Sequence, residues 1–288
     1  MSDSSTTDSA TTPTPAPRLW RIWQFLVVPI SYPLFVVGSA MMMALVPVAL
    51  IRHRSRQKRT LWLRGALHQG AKLWVGLNVR LGMLRVNVDD KRQEPSNSGP
   101  LLAIANHPSL IDVLLITATL PNLCCVLKGD LHYNPLFTLL IKNLDYLPNS
   151  DPELMLEEAQ ARLQAGEQLL IFPEGTRTEP NRPLNFRMGA AELAVRSGVP
   201  VLPITLHSNS RYLSKGYPWY RWPSGRLRYQ LELGPTQPPY DVTQHHTPTD
   251  RARSESASNK ARRAARRRLN SLWLDHFRQR LAALGVGN

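Results

Sequence analysis

Cysteine is nearly absent from this 288-residue chain: Cys124 and Cys125 are the only two. Adjacent cysteines inside an apolar run build neither a disulfide framework nor a zinc site. They read as buried thiols in a strand of a reduced domain. No Gly-x-Ser-x-Gly stretch occurs, which removes the nucleophile elbow of a serine hydrolase. His245 and His246 lie in a polar stretch with no fixed ligand spacing, so no metal centre is expected. There is no internal repeat. Charge is missing altogether from Ile22 to Ile51, and acid is scarce overall, with 21 Asp and Glu against 35 Lys and Arg.

The resulting net charge of +14 is concentrated. Arg52–Arg64 holds six Lys and Arg and no acid, and Arg251–Arg268 holds eight with one acid. These two blocks account for +13 of the total, so the body between them is nearly neutral. Two short basic blocks on a neutral body suit an anionic surface met at two places. They do not suit a groove for nucleic acid, and membrane lipids are the expected partner.

The first seventeen residues, rich in Ser, Thr, Pro and Ala, are expected to form a disordered tail. The uncharged run that follows exceeds the ~20 residues that cross a bilayer as a helix. Pro29, Pro33 and Pro47 argue against one straight rod. The run ends in the basic block Arg52–Arg59, which by the positive-inside tendency is cytoplasmic. Leu61–Leu84 alternates Trp62, Leu67, Trp74, Leu77 and Leu81 with Arg64, His68, Lys72 and Arg80, the pattern of an amphipathic interfacial helix. Residues 18–83 therefore read as a membrane-associated helical motif. Either the first run spans the membrane, or it dips into one leaflet and pairs with the second helix. In both cases the remainder sits on the cytoplasmic face, at the inner membrane if the source is Gram-negative.

From Leu84 the pattern alternates. Strands are expected at Leu84–Val88, Leu101–Ala105, Cys124–Leu127, Gln168–Phe172, Val201–Leu206 and Leu227–Leu233. Helices are expected at Ser109–Thr119, Asn134–Lys142, Pro152–Ala165 and Met188–Ser197, the third with Ser150 as its cap. This predicts an α/β domain over 84–239, a mixed, largely parallel sheet flanked by helices. Residues 240–288 read as a polar linker to Asn259 and then a basic helix, Lys260–Leu284. Its apolar side carries Leu269, Leu272, Trp273, Phe277, Leu281 and Leu284. That helix either lies on anionic lipid or packs on the domain.

The chemistry is expected in Ala105–Ile116, A-N-H-P-S-L-I-D-V-L-L-I. Asn-His-Pro signals a turn. Ser109 and Asp112 then form a capping box, so Asp112 has a plain structural use. The same carboxylate points back towards His107, and the helix dipole favours its ionised form. An ionised Asp on one ring nitrogen leaves the other as a positioned base. A second stretch, Pro173-Glu174-Gly175-Thr176-Arg177-Thr178, follows a strand and suits an anionic group through backbone N–H donors and a guanidinium.

Together these stretches resemble the glycerophospholipid acyltransferase superfamily, the family of lysophosphatidic acid acyltransferases. Asn106-His107-Pro108-Ser109-Leu110-Ile111-Asp112 is similar to its first motif and Phe172-Pro173-Glu174-Gly175-Thr176-Arg177 to its third. Phe186-Arg187-Met188-Gly189-Ala190, followed by Val199-Pro200-Val201-Leu202-Pro203-Ile204, resembles its Gly-Ala helix and fourth motif. Lys128 stands where the family opens its second motif region. The resemblance covers roughly Leu61 to Gly234. It implies acyl transfer from acyl-CoA or acyl carrier protein to a hydroxyl of a lysophospholipid, with no cofactor beyond that thioester. It also implies His107 as general base, Asp112 as the residue that orients it, and no covalent acyl-enzyme. Glu174, Gly175, Thr176, Arg177 and Lys128 would hold the acceptor's phosphoglycerol part.

One departure stands out. Many lysophosphatidate-specific members carry an arginine in a pattern like F-I-D-R, whereas Tyr146-Leu147-Pro148-Asn149-Ser150-Asp151 has no basic residue. Arg and Lys are the natural partners of a doubly charged phosphate monoester. Lys142 is a candidate substitute. The alternative is another acceptor: a phosphodiester, a glycolipid, an amino-acid lipid or, by similarity of the Ser214–Arg221 insert, an aryl-polyene-type lipid. A non-catalytic membrane-binding protein is the reading from another class.

Overall fold

The computed structural model describes residues 18–92, 99–132, 138–179, 182–218, 220–221, 223, 225–240 and 255–285. The expected N-terminal tail, His245–His246 and most of the expected 240–259 linker lie outside them. Two helices open the described chain, α1 (Arg18–Arg52) and α2 (Arg56–Arg80). They form an antiparallel hairpin: Ser31 Oγ donates to Asn78 Oδ1 at 2.8 Å, Trp23 Nε1 donates to Leu81 O at 3.0 Å, and Phe35 meets Trp74 edge-on at 6.0 Å. The helix runs without interruption past Pro29, Pro33 and Pro47. A proline removes only one hydrogen bond of the ladder, and the remaining bonds carry the helix through it. Only 17% of the stretch Pro33–Arg52 is buried, so α1 is not a core helix.

The α/β part runs β1 (Leu84–Asp90), β2 (Leu101–Ala105), α3 (Ile111–Thr119), β3 (Leu123–Leu127), α4 (Gly129–His132), α5 (Thr138–Leu144), β4 (Leu147–Pro148), α6 (Pro152–Gln164), β5 (Gln168–Ile171), α7 (Gly189–Ser197), β6 (Val201–Ser208), β7 (Leu227–Leu233) and α8 (Glu255–Ala283). The strands form one sheet in the order β1-β7-β6-β2-β5-β3-β4. All neighbours are parallel except β6 and β7. The mixed, largely parallel sheet is thus present. Every residue of β2 and β5 is buried, as strands covered on both faces must be. Two short elements, α4 and β4, were not expected. The expected start of α5, Asn134, lies outside the described residues.

Topology decides which helix covers which face. The chain crosses from β2 to β3 through α3 and on to β4 through α5, moving one way along the sheet. It returns from β4 to β5 through α6 and from β5 to β6 through α7, moving the other way. Right-handed crossovers in opposite directions lie on opposite faces. Accordingly α3 and α5 pack on α2, and α5 also on α1, while α6 packs on α7 and α7 on α8. The α8 helix buries Leu269, Trp273 and Phe277 against that second face, whereas Leu272, expected on the same side, is 53% exposed. It begins at Glu255, five residues before the expected start, since no Pro or Gly interrupts this stretch.

The inner side of α2 also differs from the expected apolar stripe, because Thr60, Arg64 and Asn78 are buried there. Arg64 donates to the carbonyls of Leu144 at 2.9 Å and Asp145 at 3.4 Å, and pairs with Glu167 at 2.9 Å. The end of α5 leaves carbonyls without intrahelical partners, and Arg64 supplies the donors. The α6 cap is Asp151, not Ser150: its side chain accepts from the N–H groups of Glu153 and Leu154.

Candidate active site

Strands β2 and β5 are parallel neighbours, so their C-terminal ends lie side by side. The first motif leaves β2 and the second leaves β5, and the helices that follow depart on opposite faces. The site therefore opens outside the carboxyl ends of the strands, the usual ligand crevice of such sheets.

The two loops are laced together. The His107 N–H donates to Glu174 Oε1 at 3.0 Å, and the Thr178 N–H donates to the His107 carbonyl at 2.7 Å. Thr178 Oγ1 donates to the same Glu174 oxygen at 2.8 Å. Asn106 anchors the entry: its side chain exchanges two hydrogen bonds of 2.8 Å with the backbone of Leu206, continuing the β2–β6 ladder. The His107 ring stacks on Phe172 with centroids 4.2 Å apart and planes 23° apart.

His107 Nδ1 lies 2.9 Å from Asp112 Oδ2, and Asp112 is completely buried. The same oxygen accepts the Ser109 N–H at 2.6 Å, the reach-back half of the expected capping box. In the other half, the Ser109 hydroxyl accepts the Ile111 N–H at 3.3 Å, one residue short of the expected Asp112 N–H. Helix α3 begins at Ile111 with Leu110 at the cap position, and Ser109 Oγ donates to Tyr212 O at 3.1 Å. Burial raises the pKa of Asp112 above the ordinary carboxylate value, whereas the dipole argument had favoured ionisation. The hydrogen bond from His107, the Ser109 N–H and the charge of Arg177 oppose that rise. The carboxylate fixes the Nδ1–H tautomer, which leaves Nε2 as the lone-pair nitrogen. Among the described residues Nε2 has no hydrogen-bond partner, and the ring is 13% exposed, so a small polar group can reach it.

Glu174, Gly175, Thr176 and Arg177 all stand in the loop beside His107. Glu174 is buried and serves as the clamp just described; burial raises its pKa, against the hydrogen bond from Thr178. Gly175 takes φ +68°, which favours glycine. Arg177 Nη1 donates to the carbonyls of Leu213 at 2.9 Å and Ser214 at 3.2 Å, drawing the β6–β7 connection over both loops. Lys128 stands at the end of β3, with β5 between it and β2, about 10 Å across the sheet. It pairs with Asp130 on the surface. Lys142, on α5, is exposed and borders a cleft with Arg56, Asp145 and Asp151. Cys124 and Cys125 are buried, with thiols pushed up by burial to about 11 and about 12, so neither is a nucleophile.

Beside the His107 turn lies an apolar cavity of about 220 Å³. Leu110 and Ile111 line it from α3, Tyr212 and Leu213 from the β6–β7 connection, and Phe35 and Trp74 from α1 and α2. Sequence reasoning missed its walls, because they come from parts of the chain far apart in sequence, from Ser31 to Leu227. It also gave Asn106 and Phe172 no role of their own, although each opens a recognised motif.

The acyltransferase family model matches residues 85–207, from β1 into β6, a span that includes both loops. Over that span the chain is similar to the acyltransferase family. Over 142 residues it is 32% identical to a 1-acyl-sn-glycerol-3-phosphate acyltransferase of Pseudomonas aeruginosa, covering 47% of this chain and 53% of that one. Over 177 residues it is 30% identical to the mouse alpha enzyme of the same name, covering 59% of each chain. A chloroplast enzyme of that name from Arabidopsis thaliana is 26% identical over 154 residues, covering 52% of this chain and 43% of that one. The chain thus spans about half the length of the curated relatives it matches. The fold is also that of the 1-acyl-sn-glycerophosphate acyltransferase of Thermotoga maritima, at TM-score 0.58 and 21% identity, covering 87% of this chain and 97% of that one.

Proposed function

We propose that this protein is a membrane-associated O-acyltransferase that moves a fatty acyl group from an acyl thioester to the free hydroxyl of a lysophospholipid. The observation that carries the reading is the His107–Asp112 pair: a 2.9 Å contact at a buried carboxylate with Nε2 left open. The acceptor hydroxyl gives its proton to Nε2 as its oxygen attacks the thioester carbonyl. Asp112 holds the ring and stabilises the imidazolium that forms. The tetrahedral intermediate collapses, the C–S bond breaks, and the departing thiolate takes the proton back from Nε2. An ester and a free thiol result, with acyl-CoA or acyl carrier protein as donor and no covalent enzyme intermediate. Glu174, Gly175, Thr176 and Arg177 shape the acceptor side, with Lys128 at its margin, and the apolar cavity takes the acyl chain. The α1–α2 hairpin sits in or on the membrane, with Arg52–Arg59 on the cytoplasmic side.

Purified protein in liposomes, given each donor with a panel of lysophospholipids, tests the reading. His107→Ala is expected to lower kcat about 10²-fold or more, the scale of general-base catalysis. Wild-type turnover that survives this change would remove the mechanism. Acylation of a phosphodiester, glycolipid or amino-acid lipid in preference to lysophosphatidate would favour the second reading, for which the missing basic residue at Tyr146–Asp151 speaks. No turnover, with unchanged membrane binding in the mutant, would leave the non-catalytic membrane protein.

A further inference from the structure

We propose that Arg187 is the residue that grips the phosphate of the lipid acceptor, and that Gly175 exists in part to seat it. The inference rests on the acyltransferase reading for the identity of the lipid, but its geometry is independent. A Cβ placed on Gly175 would meet Arg187 Nε at 3.1 Å, Cδ at 3.2 Å and Cζ at 3.5 Å. The Nε end of the guanidinium thus lies against the one residue of the loop that has no side chain. Its backbone is fixed as well, since the Arg187 N–H donates to Pro173 O at 2.8 Å. Gly175 adjoins Glu174, which holds the His107 N–H, so Arg187 stands one residue away from the clamp on the catalytic turn.

The neighbouring charges are already engaged. Glu174 accepts from His107 and Thr178. Glu179 takes Lys215 and Arg182. Arg177 spends Nη1 on two backbone carbonyls, and Lys128 is paired with Asp130. Among the described residues Arg187 has neither an acid nor a carbonyl for its guanidinium, and it is exposed. A planar fork of N–H donors on the loop that holds the His107 turn matches phosphate oxygens in pairs. It also answers the absence of a basic residue at Tyr146–Asp151: the charge comes from the loop before α7, on the other side of the site.

The test is equilibrium binding to the full chain in neutral detergent micelles at fixed salt. Lysophosphatidate, lysophosphatidylglycerol and monoacylglycerol of one chain length would be compared, with turnover measured alongside. The wild type is expected to prefer the phosphorylated lipids. Arg187→Ala should weaken their binding about 10- to 100-fold, the scale of a charge-assisted pair, and leave monoacylglycerol binding unchanged. Arg187→Lys should recover part of the loss, because the charge stays and the fork goes. Gly175→Ala should weaken the same lipids by lifting the guanidinium. Where turnover occurs, KM for the acceptor should rise and kcat hold. Unchanged phospholipid affinity in Arg187→Ala, or a wild type that binds monoacylglycerol equally well, overturns the proposal. Phosphate-selective binding that needs Arg187, without any acyl transfer, supports the site and defeats the acyltransferase reading instead.

Discussion

At the scale of the residue, the site turns on a compromise at Asp112. Its carboxylate orients His107, yet burial penalises the charged form. An acid whose folded pKa lies above its unfolded value costs the fold stability as pH rises from the unfolded value through the folded one. That cost is absent in acid and present once the pH has risen above the unfolded value. Asp112→Asn is therefore expected to keep or raise the Tm at neutral pH, with the difference from wild type closing as pH falls. The same change should lower kcat about 10²- to 10⁴-fold, because an amide cannot hold the correct tautomer and orient the ring as the carboxylate does. A thermal melt series and a kcat measurement on one preparation check both halves; a large loss of Tm at neutral pH would contradict the first. The His107–Asp112 pair was legible in the sequence because it is local, five residues on a turn and a helix start. The clamp by Glu174 was not, since it joins residues 67 positions apart. Motif spacing brought Glu174 to notice, but only the fold turned it towards the His107 backbone.

At the scale of the element, the α1–α2 hairpin is tied to the sheet domain by ions as well as by apolar contact. Arg56 reaches Asp145 at 2.7 Å and Arg162 reaches it at 2.9 Å, while Arg64 binds the carbonyls nearby. Burial acts most strongly on Asp145, against ionisation, but the hydrogen bonds and charges of Arg162 and Arg56 outweigh it and lower its pKa. A depressed carboxylate adds stability above its unfolded pKa and loses it as pH falls through the folded one. Asp145→Asn should therefore lower the Tm at pH 7, and the gap should shrink below about pH 4, the ordinary carboxylate value. A gap constant from pH 7 to pH 3 would show that the ion pairs contribute nothing. Arg64→Ala is expected to cost more than a surface substitution, since it strips buried carbonyls and Glu167 of their partner. Denaturant unfolding would register a loss of about 1–3 kcal/mol. The apolar periodicity of α2 was readable, but the burial of Arg64 was not. An arginine between apolar residues looks like a solvated charge until the carbonyl ends of another helix are placed against it.

At the scale of the molecule, the sheet separates two working faces: α1 and α2 on one, and α6, α7 and α8 on the other. Trp273 is 1% exposed and Phe277 is fully buried, so α8 belongs to the core of the second face, with Arg262, Arg263, Arg267 and Arg268 outward and Arg266 and Arg280 paired with Glu192 and Glu232. Trp273→Ala should destabilise the whole domain by about 3–5 kcal/mol and lower the Tm accordingly; a helix that lay only on lipid would show no such loss in detergent. The sequence by itself determined the local matters. Unbroken apolar strands forced a buried, largely parallel sheet, an uncharged run of thirty residues forced an apolar helix, and a turn with a histidine and a carboxylate fixed the His107–Asp112 contact. All of these depend on neighbours within one or two turns of chain. The tertiary structure decided what depends on strand order. It placed β5 beside β2, so that two loops sixty residues apart became one site, and it drew the β6–β7 connection over them. It also left Arg187 lying against Gly175. Pairing order is set by the burial of whole faces, a sum over the entire chain that no single stretch carries.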